Sequence, residues 1–260
     1  MVSFISSNYF YFLLAIMVGA VSGLVGSFAV MKRLALASDP ISHIALPGLG
    51  VAFLFSFNPI IGAAAALLIG AVLIWGLERR MGATTESVIG VVFSLALAVG
   101  TLITPSEDII NALFGSYGQI SLNEFLLGAL VSLGIFVFLL SKRRQMMLAI
   151  LSPELASTAG VNADRYNLYF LLAMVLTIVL GLKYLGALLM GSLIIIPAVV
   201  SRNITRSFSS MILAGIIMSV LSVIAGILIA QSRGFAIGPT IISVAGFLFV
   251  VSLLFSSKRK

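Results

Sequence analysis

Cysteine is missing from the 260-residue chain, and histidine occurs once, at His43. Without a thiol, disulfides, thiolate metal sites and cysteine nucleophiles are all excluded. A single histidine also rules out the His-Glu-x-x-His zinc motif. No segment reads Gly-x-x-x-x-Gly-Lys-Ser/Thr, and no Ser, His and Asp set comes with nucleophile-elbow glycines. The chain is therefore expected to be no enzyme and to have no ATPase motif of its own. Charge is scarce as well: Asp, Glu, Lys and Arg make up 9% of residues against 61% hydrophobic, at a mean hydropathy of +1.23. Such values lie far outside the range of a soluble domain and indicate an all-α, polytopic membrane bundle.

Runs long enough to cross about 30 Å of hydrocarbon fall near 9–31, 41–57, 59–77, 87–104, 124–141, 166–182, 185–200, 211–231 and 240–256. The second and seventh are short and carry Pro47 and Pro197, so each is a candidate broken or re-entrant helix, and the expectation is eight or nine crossings. The first run is too long for a signal h-region and reads as a retained span. The net charge of +7 does not point to nucleic acid, because the basic residues sit in short clusters between apolar runs. Lys32 and Arg33, Arg79 and Arg80, Lys142 to Arg144, Arg165, Arg202 and Arg206, and Lys258 to Lys260 all fall on alternate connections. The positive-inside rule puts those connections in the cytoplasm, the amino terminus outside and the carboxyl terminus inside.

Three connections exceed a tight turn. An outer one, 105–123, holds Glu107 and Asp108 and then Leu113-Phe114-Gly115-Ser116, and another outer one, 233–239, is short and Gly-rich. The third, 152–165, is cytoplasmic. Ser152 is placed to cap a helix, Pro153 suits its first position, Glu154 suits the positive end of its dipole, and Gly160 is a natural stop. A helix of two turns is barely stable alone. It rests either on the bilayer and neighbouring spans or on a partner.

Ionisable groups inside a bilayer are costly and are functional candidates by default. Asp39 and His43 lie four apart, on one face of a helix, and together suit a divalent cation. Asp39 followed by Pro40 equally suits a helix cap, and His43 equally suits a packed imidazole. Two ligands are too few for a tight zinc site, whereas a pathway requires weak binding. A simple topology sets the pair in the inner half of the membrane; a broken second span raises it toward the centre. Glu86 opens the fourth span and Lys183 lies near the outer face. Gly19, Gly23 and Gly26 in the first span, and Gly186 and Gly191 around the seventh, allow close helix packing.

In order along nearly the whole chain, these blocks resemble the permease subunits of the zinc, manganese and iron class of bacterial ATP-binding-cassette importers. Met31-Lys32-Arg33-Leu34 and Ser38-Asp39-Pro40-Ile41-Ser42-His43-Ile44-Ala45-Leu46-Pro47-Gly48 resemble that family's basic pair and its Gly-Asp-x-x-Ser-His-Ala-x-Leu-Pro-Gly signature. Glu86-Ser87-Val88-Ile89-Gly90-Val91, Leu113-Phe114-Gly115, Ser152-Pro153-Glu154-Leu155-Ala156 with Gly160-Val161, and Lys183-Tyr184-Leu185-Gly186-Ala187-Leu188-Leu189 to Ile195-Ile196-Pro197-Ala198 follow in the family's order. Ser38 and Pro40 depart from it, standing where the family has glycine and a small residue.

The resemblance implies one transmembrane permease domain over 1–260, in the inner (cytoplasmic) membrane. It implies a homodimer, two copies of a cytoplasmic ATP-binding subunit that consume the ATP, and an extracytoplasmic metal-binding protein. Asp39 and His43 would be transient ligands for a transported divalent metal ion, with no cofactor held permanently. Ser152, Pro153, Glu154, Leu155, Ala156 and Gly160 would couple to the ATPase. A permease for metal chelates shares this plan with a wider path. From another class, a proton- or ion-coupled secondary transporter or channel would use the same Asp39 and His43 with no ATPase.

Overall fold

The computed structural model describes residues 8–82, 84–104 and 120–256. Glu107, Asp108, Leu113 to Ser116 and Lys258 to Lys260 lie outside the described residues. Among those described, the chain forms twelve α-helices: α1 (Tyr9–Met31), α2 (Ser38–His43), α3 (Ala45–Leu54), α4 (Pro59–Met81), α5 (Thr85–Ile103), α6 (Leu122–Ser141), α7 (Arg143–Leu151), α8 (Pro153–Thr158), α9 (Ala163–Leu185), α10 (Ala187–Ile204), α11 (Phe208–Arg233) and α12 (Ile237–Ser256). A single 3-10 turn, Ala35–Ala37, precedes α2.

Seven of these helices, α1, α4, α5, α6, α9, α11 and α12, are long and apolar enough to cross a membrane, and Leu189–Ile204 of α10 is a shorter apolar stretch. The remaining expected span, the second, is divided between α2 and α3. The two proline-bearing runs thus behave differently. Pro197 sits inside a continuous α10, as prolines in membrane helices do where neighbouring helices enclose the freed carbonyl. Pro47 falls in the first turn of α3, and the chain breaks just before it.

Helix α1 is the axis of the bundle. Of its apolar window 78% is buried, against 22% in α5, α6 and α12, and it packs on α6, α9, α10 and α11. Small residues make this possible. A Cβ on Gly26 would overlap the Ile194 carbonyl of α10, and one on Gly23 the Gly215 carbonyl of α11. Helices α3 and α4 cross equally closely, through Gly48 against Gly62.

Arg79, at the end of α4, pairs with Asp164, at the start of α9, at 3.3 Å. The Trp75 indole N–H donates to the Asp164 carbonyl at 3.0 Å. Both members of the ion pair are more than half exposed, so the pair adds little stability. Ser121 and Glu124 form a reciprocal cap at the start of α6.

Gly26→Leu should prevent the α1–α10 contact, costing about 3 kcal/mol or more by overpacking and lowering the thermal unfolding midpoint in detergent. Gly90→Ala, whose added methyl meets no atom within 4 Å, should leave that midpoint unchanged or raise it.

Candidate functional site

The turn Ala35–Ala37 runs directly into α2, because Ala37 and Ser38 already have helical backbone angles. The cap position therefore belongs to Ala37, and no side chain caps the helix. This corrects the expected capping role of Asp39: it lies inside the first turn, with its carboxylate free of the backbone N–H groups a cap would hold. Pro40 follows in the same turn, where a missing N–H has no helical partner to lose. Ser38, which stands in place of the resembling family's glycine, is fully buried and its hydroxyl donates to the Gly191 carbonyl of α10 at 3.1 Å. A Cβ on Gly191 would come within 2.8 Å of the Asp39 Cα and Oδ1, so α10 lies directly against the carboxylate.

Asp39 Oδ1 and His43 Nε2 are 3.9 Å apart. That is too long for a hydrogen bond, and about half an ångström more than the edge of a tetrahedral site with ~2.1 Å bonds. The Asp39 side chain is 49% exposed and the His43 side chain 16%. The imidazole packs on the Phe93 ring with centroids 5.8 Å apart, and its Nδ1 is buried without a hydrogen-bond partner among the described residues. No group of three or more His, Cys, Asp or Glu side chains suited to a metal exists among the described residues. One copy of the chain thus offers two ligands here.

Depth follows from the neighbours. A Cβ on Gly70, the central residue of the 23-residue α4, would meet Ile44 Cγ2 at 2.7 Å. Phe93 is likewise near the middle of the 19-residue α5. His43 and Ile44 therefore sit midway along the spans. Directly after the pair the helix is interrupted: Pro47 has no N–H for the His43 carbonyl, and the helix ends at His43 and restarts at Ala45.

The 152–165 segment matches its sequence reading in detail. The Ser152 hydroxyl accepts the Leu155 N–H at 3.2 Å, Pro153 opens α8, and Glu154 lies in its first turn. At the other end Gly160 has φ +72°, with Val161 N–H donating to the Ala156 carbonyl at 2.8 Å and Gly160 N–H to Ser157 at 3.0 Å. That is a Schellman stop. Leu155 is 62% exposed while Ala156 is fully buried. Ala156 faces its own chain, so the outward surface is carried by Leu155 with Glu154 and the capping residues. Of the other polar candidates, Glu86 lies in the first turn of α5, and Lys183 falls in the last turn of α9.

Beside α7 and α9, just past the end of α1, Lys32 Nζ is buried with no hydrogen-bond partner among the described residues and lies 5.4 Å from the centre of the Phe170 ring. Burial lowers its ammonium from 10.5 to about 8, and the Glu78 carboxylate partly opposes the fall. Glu78 accepts from the Thr85 hydroxyl at 2.7 Å and from the Asn167 amide at 2.6 Å.

Residues 9–256 match the family described as the ABC 3 transport family. The chain belongs to that family. It is 30% identical to the high-affinity zinc uptake system membrane protein ZnuB of Haemophilus influenzae, covering 93% of this chain and 94% of that one. It is 27% identical to the manganese import system permease protein ScaB of Streptococcus parasanguinis, over 95% and 89%. The fold matches that in the structure of PsaBC from Streptococcus pneumoniae in complex with Fab, with a TM-score of 0.83 at 24% identity over 97% and 94% of the two chains.

Within this ABC 3 family chain, Glu78 and Asn167 escape sequence reasoning. Glu78 directly precedes Arg79 and Arg80 and merges with that basic cluster, and nothing in the order of residues ties it to Lys32. The unfolded chain keeps the ordinary lysine value, so between about pH 8 and 10.5 it binds more protons than the native state. Native stability should rise with pH across that window. Lys32→Met should remove this slope and raise stability at pH 7 by about 1–2 kcal/mol, read from unfolding midpoints in detergent at pH 7 and 10. Glu78 keeps both hydrogen bonds in the variant; an unchanged slope would contradict the assignment to Lys32.

Proposed function

We propose that the chain is the membrane-spanning permease subunit of an ATP-binding-cassette importer that moves divalent zinc, manganese or iron into the cytoplasm. It works as a homodimer in the inner membrane, with a separate cytoplasmic ATPase and an extracytoplasmic metal-binding protein. The observation that carries this reading is a half-exposed carboxylate beside an imidazole at the middle depth of the bundle. An ionisable pair at that depth needs water, a partner or a cation. Two ligands per chain leave a cation half-coordinated, and a second copy facing the first supplies four. Such a site, split between subunits, releases its ion readily, as a pathway requires.

The zinc and manganese systems named for the relatives support the same cargo class, and aspartate with histidine suits all three metals. The basic clusters favour an outside amino terminus and a cytoplasmic carboxyl terminus. With α2 and α3 together as one interrupted crossing and α10 as another, the chain makes nine passes. Helix α8 then lies on the cytoplasmic side, and its exposed Leu155 enters a groove of the ATPase. A proton relay through Asp39 and His43 accounts for the pair but leaves the doubly capped, outward-facing α8 without a task.

Asp39→Ala with His43→Ala should lower metal accumulation by at least about tenfold, the scale of losing metal contacts, while the purified dimer stays intact. Accumulation would be measured by elemental analysis of cells lacking other importers, across zinc, manganese and iron. Unchanged uptake of all three would sink the relay. Leu155→Asp should weaken ATPase docking by about 2 kcal/mol, seen as loss of co-purifying ATPase with the permease fold preserved.

A further inference from the structure

Helices α6 and α9 leave an open groove of about 230 Å³ between them, lined by neither Asp39 nor His43. Gly134, Ile135 and Phe138 form one wall, and Tyr169, Leu172 and Leu176 the other. The Phe138 and Tyr169 rings meet edge to face, 5.7 Å apart, at the end of the groove nearest α7. Helical spacing extends both walls beyond that point. Ile135, Phe138 and Lys142 recur on one stripe of α6, and the Lys142 N–H still donates to the Phe138 carbonyl at 3.0 Å, so the register holds through Lys142. Arg165, Tyr169, Leu172 and Leu176 recur on one stripe of α9.

Each wall therefore ends, one turn past its aromatic residue, in a cation. Lys142 and Arg165 are both exposed, and neither takes part in an ion pair among the described residues. The nearest acidic group in sequence, Asp164, is already engaged by Arg79.

We propose that this groove is a binding site for an anionic phospholipid, with an acyl chain between α6 and α9 and the headgroup phosphate held between Lys142 and Arg165. An apolar slot alone accepts any lipid. What selects an anionic one is the pair of cations at its mouth, since basic side chains at the membrane surface attract acidic headgroups one by one. Tyr169, 40% exposed, sits where an amphipathic ring belongs, between hydrocarbon and headgroup. The site would tie α6 to α9 at the end where α7 and α8 pack.

The test is native mass spectrometry of the full-length permease released from nanodiscs that contain equal phosphatidylglycerol and phosphatidylcholine of matched acyl chains. The wild-type chain should retain phosphatidylglycerol preferentially. Lys142→Gln with Arg165→Gln should reduce that preference by roughly twenty-five-fold, about fivefold for each cation lost. Arg202→Gln with Arg206→Gln, an equal charge change on other exposed basic residues, should leave it intact. Gly134→Leu projects into the slot from a position where a Cβ meets no atom within 4 Å, and should also lower phosphatidylglycerol retention. An unchanged preference in the Lys142 and Arg165 variant, an equal drop in the Arg202 and Arg206 variant, or full retention in Gly134→Leu would each overturn the site. So would Gly134→Leu separating two copies of the chain while the lipid preference persists, which would assign the groove to a protein contact.

Discussion

Hydrocarbon offers a peptide group nothing to bond with, so a chain can interrupt a membrane helix only where protein encloses the gap. The break between α2 and α3 is such a place, and the surrounding helices close around it. Gly48 and Gly62 bring α4 against the restarted helix, Gly100 brings α5 onto Leu46 and Pro47, and the Thr104 hydroxyl donates to the Leu46 carbonyl at 3.3 Å. On the other side the Ser38 hydroxyl reaches α10. Enclosed by these contacts, the α2 end holds His43 and Ile44 against the middle of α4 and α5.

The same short stretch connects the proposed metal pair to the proposed ATPase contact. Helix α8 rests on α7 and α9, and α7 packs on α9. Lys32, held between α7 and α9 at the end of α1, precedes the turn that leads into α2. Helix α9, which carries Phe170 and Asn167, packs on α7, α8 and α2 alike. Lys32 suits a moving part, because a buried ammonium with no hydrogen bond is a costly arrangement that a rearrangement can relieve.

Much of this was readable from the residues, for definite reasons. Apolar run length finds a membrane helix because the bilayer sets it, and Ser152, Pro153 and Gly160 mark α8 because caps are local chemistry. Pro47 and Pro197 look alike in sequence, yet only the first stands beside a helix break, a difference that local sequence does not carry. The Asp39-Pro40 pair signals a cap by local rules, but the preceding 3-10 turn moves the helix start to Ala37 and removes that task. The exposure of Leu155 against the burial of Ala156, and the meeting of Lys32 with Glu78, depend on neighbours far away along the chain.

The central claim is that Asp39 and His43 are half of a site shared by two copies. It is tested most directly by mixed dimers, one copy wild type and one carrying Asp39→Ala and His43→Ala, isolated through two different affinity tags and reconstituted with the ATPase and the metal-binding protein in liposomes. If both pairs serve one site, the mixed dimer should transport no better than the doubly substituted one. Transport at half the wild-type rate would contradict the account and give each chain a pathway of its own.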